Sequence, residues 1–554
     1  MAKLNPSFWV LLLFSITLLS IQFKGSLGSV STTEAYVTLL YGDEFLLGVR
    51  VLGKSIRDTG SRKDMVVLVS DGVSHYSKKL LKADGWKVEK ISLLANPNQV
   101  HPKRFWGVYT KLKIFNMTDY KKVVYLDADT IVVKNIEDLF KCAKFCANLK
   151  HSERLNSGVM VVEPSAALFD DMVKQVKTLS SYTGGDQGFL NSYYPDFPNA
   201  RVFDPSLSPE VVKTRPVPKM ERLSTLYNAD VGLYMLANKW MVDDSKLHII
   251  HYTLGPLKPW DWWTAWLVKP VEAWHSIRVG LEETLPGTGG GKTPNDEFIV
   301  KLLFLLPLCG LLFCIYRSIK GRDFMGSLCR SSVCNQIRHL YYKVRSNGTL
   351  GYSGVSTLST MNSNYQLHTG AHSKVPQYLG AVSVVACFMA LLTSIGVSFM
   401  IVPRQIMPWT GLILIYEWTF TIFFVLYGSF LLLVYQYGKK IAVQSGSPSS
   451  QTESSLDDSG KGHQRADASY DFTTWYYGLG MMFLAFAAIS LPYMLGVTAL
   501  FLSYTWSRLG LMIAVAMVLV SFMTYASEHL AVRWFLKGLE DRDTTRTKSI
   551  CFLC

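Results

Sequence analysis

The chain has 554 residues, 49% hydrophobic and 18% charged, with 56 Lys and Arg against 42 Asp and Glu and a formal net charge of +14. That length accommodates several domains. The basic excess is dispersed between apolar blocks instead of interleaving with aromatics on one soluble face, which excludes nucleic acid as the partner it serves.

Residues 7–23 form an uncharged apolar run behind Lys3 and ahead of small residues, so 1–30 reads as a signal peptide or a signal anchor. A strand at 35–40 leads through a polar turn into a helix over 45–57, with Leu46, Val49, Leu52, Gly53 and Ile56 on one side. A second strand (64–70), a helix (77–84, stopped by Gly85) and a third strand (86–91) follow. Trp106, Tyr109, Leu112 and Phe115 predict an amphipathic helix over 105–115. Asn116-Met117-Thr118 after it is a glycosylation sequon, and so is Asn347-Gly348-Thr349. Strands alternating with helices at this spacing predict a mostly parallel sheet covered on both faces.

The apolar run 123–126 reads as a buried strand ending in Asp127-Ala128-Asp129, with a second apolar run at 131–133. Two carboxylates one residue apart can reach the same hard divalent cation, and such a cation also takes diphosphate oxygens. Asp is equally a residue of solvated turns. The fully apolar strand before it favours the cation, because open α/β sheets bind ligands at such strand ends. Cys142 and Cys146 are four residues apart; a disulfide is allowed in an oxidising compartment, although helical spacing disfavours one. Residues 156–162 read as a turn and then a strand. Thr183-Gly184-Gly185-Asp186-Gln187 sets a carboxylate and an amide behind a flexible pair, which is also the pattern of a helix N-cap. Residues 201–219 are Pro-rich and extended. His251 reads as a core histidine on its own, whereas Lys258 suits a point charge against phosphate. Trp260, Trp262, Trp263, Trp266 and Trp274 suit a core or a headgroup-level belt.

Five apolar blocks follow the tether 286–297, at 298–316, 378–402, 409–435, 479–497 and 499–523, each near the length that crosses hydrocarbon. Glu417 is the exception to their lack of charge. Residues 317–345 hold seven Lys and Arg against Asp323 alone, and basic residues also open the 436–471 loop and mark the tail. The positive-inside rule puts loops 317–375 and 436–471 and the tail 525–554 in the cytosol, and the domain 31–285 on the lumenal side. The expected architecture is an α/β domain followed by an all-α multispan region over 298–524.

In order along the chain, YVTLLYGDEFLLGVRVLGKSIR (from Tyr36), LDAD, NSGVMV, GGDQGFLN and HYTLGPLKPW make residues 34–260 resemble the glycogenin-like glycosyltransferases. The resemblance implies a Rossmann-like GT-A fold, a nucleotide-sugar donor, a retaining reaction and Mn²⁺ or another divalent cation. By position it puts Leu39, Tyr41 and Phe45 around uracil and ribose, and Lys111 on the donor. Asp127, Asp129 and His251 take the metal, Lys258 the diphosphate with Gly255 before it, and Asn156, Asp186 and Gln187 the sugar. Asp186, with Gln187 beside it, would then stabilise positive charge at the anomeric carbon or orient the acceptor. Phe45 replaces a frequent tyrosine, Thr183 an aspartate, and His251 and Gly255 stand one residue further apart than in glycogenin. The multispan C-terminus is similar to the plant branch of that family. That implies transfer of glucuronic acid from UDP-glucuronate to the inositol headgroup of inositol phosphorylceramide, a membrane sphingolipid, by a multi-pass Golgi protein, as a homo- or hetero-oligomer in the bilayer. Two alternatives stand beside it: glucuronosyl or glucosyl transfer to a polysaccharide such as xylan or glucan, and a transporter or scaffold with a degenerate catalytic domain. A glucuronate carboxylate calls for a nearby cation, and His101-Pro102-Lys103-Arg104 is the nearest basic turn.

Overall fold

Runs of Val, Ile and Leu without polar alternation are satisfied only in strands buried on both faces, and the computed structural model builds them that way. It describes residues 33–96, 107–150, 153–207, 216, 218–253, 255–284, 294–320, 375–444 and 505–540. The signal segment, the basic turn 101–104, most of the tether and of both expected cytosolic loops, the expected span 479–497, Asn347 and the tail from 541 lie outside the described residues. The chain divides into two units, residues 1–231 with 240–252, and residues 232–239 with 253–554.

The first unit holds β1 (Glu34–Leu40), α1 (Leu46–Asp58), β2 (Asp64–Val69), α2 (His75–Ala83), β3 (Lys87–Lys90), β4 (Lys122–Leu126) and β5 (Thr130–Val132). After these come β6 (Phe145–Leu149), β7 (Leu155–Val162), α3 (Ala166–Gln175), α4 (Asp186–Tyr193), β8 (Arg201–Val202), β9 (Met220–Leu223), β10 (Ala229–Asp230) and β11 (Ile249–His251). The main sheet runs β3-β2-β1-β4-β7-β6-β9-β8, and β10-β11-β5 form a small second sheet. Alternate residues of each central strand face two separate cores. Tyr36, Leu40, Val67, Val124 and Val161 join Leu46, Val49, Leu52 and Ile56 of α1 on one face. Val37, Val66, Val123 and Met160 join Tyr109, Leu112, Phe115, Met172 and Phe189 on the other. Each such fully buried aliphatic contributes about 1.5–3 kcal/mol. Beneath the first face Arg50 of α1 bonds Asp84 after α2 at 2.7 Å, with both side chains almost wholly buried.

Two expectations need correction, while a third holds with one exception: the main sheet is mostly parallel, and within it β7 runs antiparallel to both β4 and β6. Only residues 150–154 link β6 to β7, too few for the crossover that a parallel pair requires. Segment Val108–Asn116 is a 3₁₀ helix, not an α-helix; its apolar residues recur every third position, which is the 3₁₀ repeat. Asn156 lies within β7 and not in a turn before it. Cys142 and Cys146 are joined in a disulfide, and the helical objection to it lapses because Cys142 closes a 3₁₀ turn and Cys146 lies in β6.

The second unit holds α5 (Val271–Thr284), α6 (Pro294–Lys320), α7 (Tyr378–Ile401), α8 (Pro408–Gln444) and α9 (Thr505–Glu540). Leu379, Cys387 and Ala390 of α7 pack with Tyr427, Leu431 and Val434 of α8 and Ala531 and Phe535 of α9. Gly538 lets the backbones of α8 and α9 meet, since a Cβ there would lie 2.2 Å from the Tyr435 carbonyl oxygen. Small residues at a crossing serve helices that lack a hydrophobic drive to associate. Trp262 packs with Leu303, Val402, Ile406, Leu412 and Leu414, and Arg404 bonds Asp261 at 2.9 Å. Among the described residues, Tyr378–Ile401 and Pro408–Ala442 are long and apolar enough to cross a membrane.

Candidate active site

The end of β4 delivers Asp127, and a tight turn closed by its carbonyl, which accepts from Thr130 N–H and Oγ1, carries Asp129 beside it. The partner for this turn arrives about 120 residues later. β11 pairs antiparallel with β5, setting His251 opposite Thr130, and the Tyr252 N–H donates to the Asp129 carbonyl at 2.9 Å. The result is a cluster in which His251 Nε2 lies 3.4 Å from Asp129 Oδ1 and 4.0 Å from Asp127 Oδ2. Asp127, Asp129 and His251 each offer one ligand atom, all within 4.8 Å of one another. Two hard carboxylate oxygens and one imidazole nitrogen suit Mn²⁺ or a similar divalent cation. Gly158 of β7 makes the room: a Cβ there would stand 2.1 Å from His251 Cε1.

Lys111, on the 3₁₀ segment, is buried between two carboxylates. Its Nζ lies 3.0 Å from Asp127 Oδ1 and 3.0 Å from Asp186 Oδ2, and 5.0 Å above the Tyr125 ring centroid. Burial acts to lower its pKa, but Asp127 and Asp186 outweigh burial and hold it above the ordinary lysine value, so the ammonium stays charged. Tyr125 donates its hydroxyl to Asp127 Oδ1 at 2.7 Å, and burial, then Asp127, push that phenol well above its usual value.

Asp186 is the first residue of α4 and does not cap it. Its Oδ2 also accepts from Ser157 Oγ at 2.7 Å. Asn156 Nδ2 donates to Gln187 Oε1 at 2.9 Å, so the β7 and α4 residues expected to share the sugar do meet. Tyr41 follows β1 and donates to the Gly107 carbonyl at 2.8 Å. Burial raises its pKa, Lys111 opposes that, and Asp186 and Asp127 reinforce it, which places the phenol within reach of this cluster's charges. Leu39 is buried on the same sheet face as Tyr109 and Phe189. Phe45, at the start of α1, packs on the opposite core. Gly255 and Lys258 belong to the second unit. Gly255 has φ +60°, the left-handed region that favours glycine, and the Lys258 carbonyl accepts from Thr264 Oγ1.

The sequence reading missed Ser157, Tyr125 and Asn228. Ser157 sits in the NSG triplet that had drawn notice only for Asn156. Asn228 stands in no motif, and no spacing marks it.

Residues 36–145 match glycosyl transferase family 8. The chain is 79% identical over 556 aligned residues to inositol phosphorylceramide glucuronosyltransferase 1 of Arabidopsis thaliana, covering 100% of each chain. It is 36% identical over 177 residues to UDP-glucuronate:xylan alpha-glucuronosyltransferase 1 of the same plant, covering 32% of this chain and 27% of that one. The galactosyltransferase LgtC, solved with donor and acceptor sugar analogues, superposes at a TM-score of 0.32 with 16% identity, over 44% of this chain and 94% of its own, a likeness too distant to carry an argument.

Proposed function

Because the chain belongs to glycosyl transferase family 8, we propose that it transfers glucuronic acid from UDP-glucuronate to the inositol headgroup of inositol phosphorylceramide, with retention. It is a glycosyltransferase; donor, acceptor and stereochemistry are the reading. The observation that carries it is the 79% identity running through the C-terminal half to a relative of that name. Similarity to the xylan glucuronosyltransferase, by contrast, covers 32% of this chain.

Departure of the sugar leaves negative charge on the diphosphate and positive charge at the anomeric carbon. In this reading Asp127, Asp129 and His251 hold the divalent cation, whose charge offsets that of the diphosphate. Lys111 holds Asp127 and Asp186 at fixed positions through its two ion pairs, so neither reorganises as charge develops. Asp186, held by Lys111 and Ser157, presents a carboxylate to the anomeric carbon. Asn156 and Gln187 bind sugar hydroxyls, Tyr41, Leu39 and Phe45 receive the nucleoside, and Lys258, preceded by Gly255, binds the diphosphate. The second unit crosses the Golgi membrane several times and keeps the catalytic unit in the lumen, where confinement raises the effective concentration of a lipid acceptor.

The test offers purified, detergent-solubilised full chain labelled UDP-glucuronate or UDP-glucose, with inositol phosphorylceramide and xylan oligomers in separate reactions. Label is expected in the sphingolipid, from UDP-glucuronate. Label in oligosaccharide alone overturns the acceptor, and preference for UDP-glucose overturns the donor.

A further inference from the structure

Asn228 is 2% exposed, just ahead of β10, and has no role in the proposed function above. The turn Thr225–Tyr227 places it, with its N–H donating to the Thr225 carbonyl, and parallel pairing of β10 with β11 brings it beside His251. Its Oδ1 lies 2.9 Å from His251 Nδ1, and its Nδ2 donates to Asn156 Oδ1 at 2.8 Å. Asn156 Nδ2 in turn donates to Gln187 Oε1 at 2.9 Å, and Gln187 Nε2 to the Tyr182 hydroxyl at 3.2 Å. These three carboxamides all point the same way.

One group outside the chain of amides fixes that direction. The Gly158 backbone N–H can only donate, and it lies 3.0 Å from Asn156 Oδ1. Asn156 must therefore turn its oxygen to Gly158 and Asn228, and its NH₂ to Gln187. Asn228 must then offer NH₂ to Asn156 and its oxygen to His251. An oxygen acceptor opposite Nδ1 requires that Nδ1 carry the proton, which leaves the lone pair of the neutral ring on Nε2. Nε2 is the atom 3.4 Å from Asp129 Oδ1.

We propose that Asn228 is a positioning residue that sets the tautomer and ring angle of His251, so that Nε2 is presented as a cation ligand. The inference rests on reading Asp127, Asp129 and His251 as the cation site. A hydrogen-bond acceptor behind a ligating histidine raises its basicity and removes its freedom to flip, and losing such a partner weakens cation affinity by about 10–100-fold. The Asn228 amide also bonds Asn156, which in turn bonds Gln187.

The experiment measures Mn²⁺ binding to the purified full chain in detergent, from the electron paramagnetic resonance signal of free Mn²⁺, alongside the Mn²⁺ dependence of transfer. Four proteins are compared: wild type, N228A, N228D and D129N. N228A is expected to bind Mn²⁺ at least tenfold more weakly, with kcat recovering to within about threefold of wild type at saturating Mn²⁺. N228D keeps an acceptor for Nδ1 while losing the donor to Asn156, and is expected to bind no more weakly than wild type. If N228A does not fold, Asn228→Ser takes its place, keeping a polar group in the buried space without the acceptor's reach. N228A within twofold of wild type, with D129N at least tenfold weaker, overturns the role of Asn228 and leaves the cation site standing. N228D as weak as N228A overturns it too, because what the two variants share is the lost donor to Asn156 and not a lost acceptor for Nδ1. Wild-type affinity in D129N removes the cation reading on which the inference rests.

Discussion

Gly158 and Asp129 separate two demands on the site, space and charge. At Gly158 even a methyl group would lie inside the His251 ring contact, at 2.1 Å from Cε1. Gly158→Ala is therefore expected to displace His251 and weaken Mn²⁺ binding by about tenfold, read by free-Mn²⁺ titration, while the protein still folds. Asp129→Asn keeps shape and removes charge. It is expected to lower transfer by at least about 100-fold at equal protein abundance, measured as label transferred per milligram of enzyme in membranes. Asp127→Asn should cost as much and also frees one side of Lys111, so Asp129 gives the cleaner comparison. Much of this was legible beforehand, because LDAD and DQ place their side chains by local spacing. Asn228 was not: its partner Asn156 is 72 positions away, and only the folded pairing of β10 with β11 brings it to His251.

Most strands of the first half were readable because strands buried on both faces read as near-continuous apolar runs. The direction of β7 was readable only from the short 150–154 link, and the alternation of strands with helices masked it. In the same way Tyr109, Leu112 and Phe115 look amphipathic under either helical period, and their strict three-residue step decides for 3₁₀. One pairing between elements carries a stability prediction. Arg50 and Asp84 are 0% and 3% exposed, so removing one partner strands a buried charge. Arg50→Met alone is expected to cost about 3–5 kcal/mol, and adding Asp84→Leu to recover most of it. The check is the denaturant midpoint of the transition followed by hydrogen exchange in α1 and α2; equal losses in the single and double variants would contradict it.

At the scale of the whole chain, the proposed orientation has a readable mark. Asn116 and Thr118 are exposed at the end of the 3₁₀ segment, open to a lumenal oligosaccharyl transferase. A single glycan is expected, at Asn116, with none at Asn347; mass spectrometry of glycopeptides decides, and a glycan at Asn347 would invert the arrangement. The Cys142–Cys146 bridge adds a constraint of timing. Both sulfurs are buried, and β9 seals them: Glu221 accepts from the Ala143 N–H at 3.2 Å and lies 3.6 Å from Cys142 Sγ. β9 is made some seventy residues after the cysteines, so during synthesis the two thiols emerge together while the strand that will cover them is still unbuilt. Oxidation is therefore expected in the nascent chain, ahead of closure of the sheet. A pulse of label followed by rapid alkylation should find the bridge already present in chains stalled before residue 220, and an oxidant withheld until after release should meet thiols it can no longer reach.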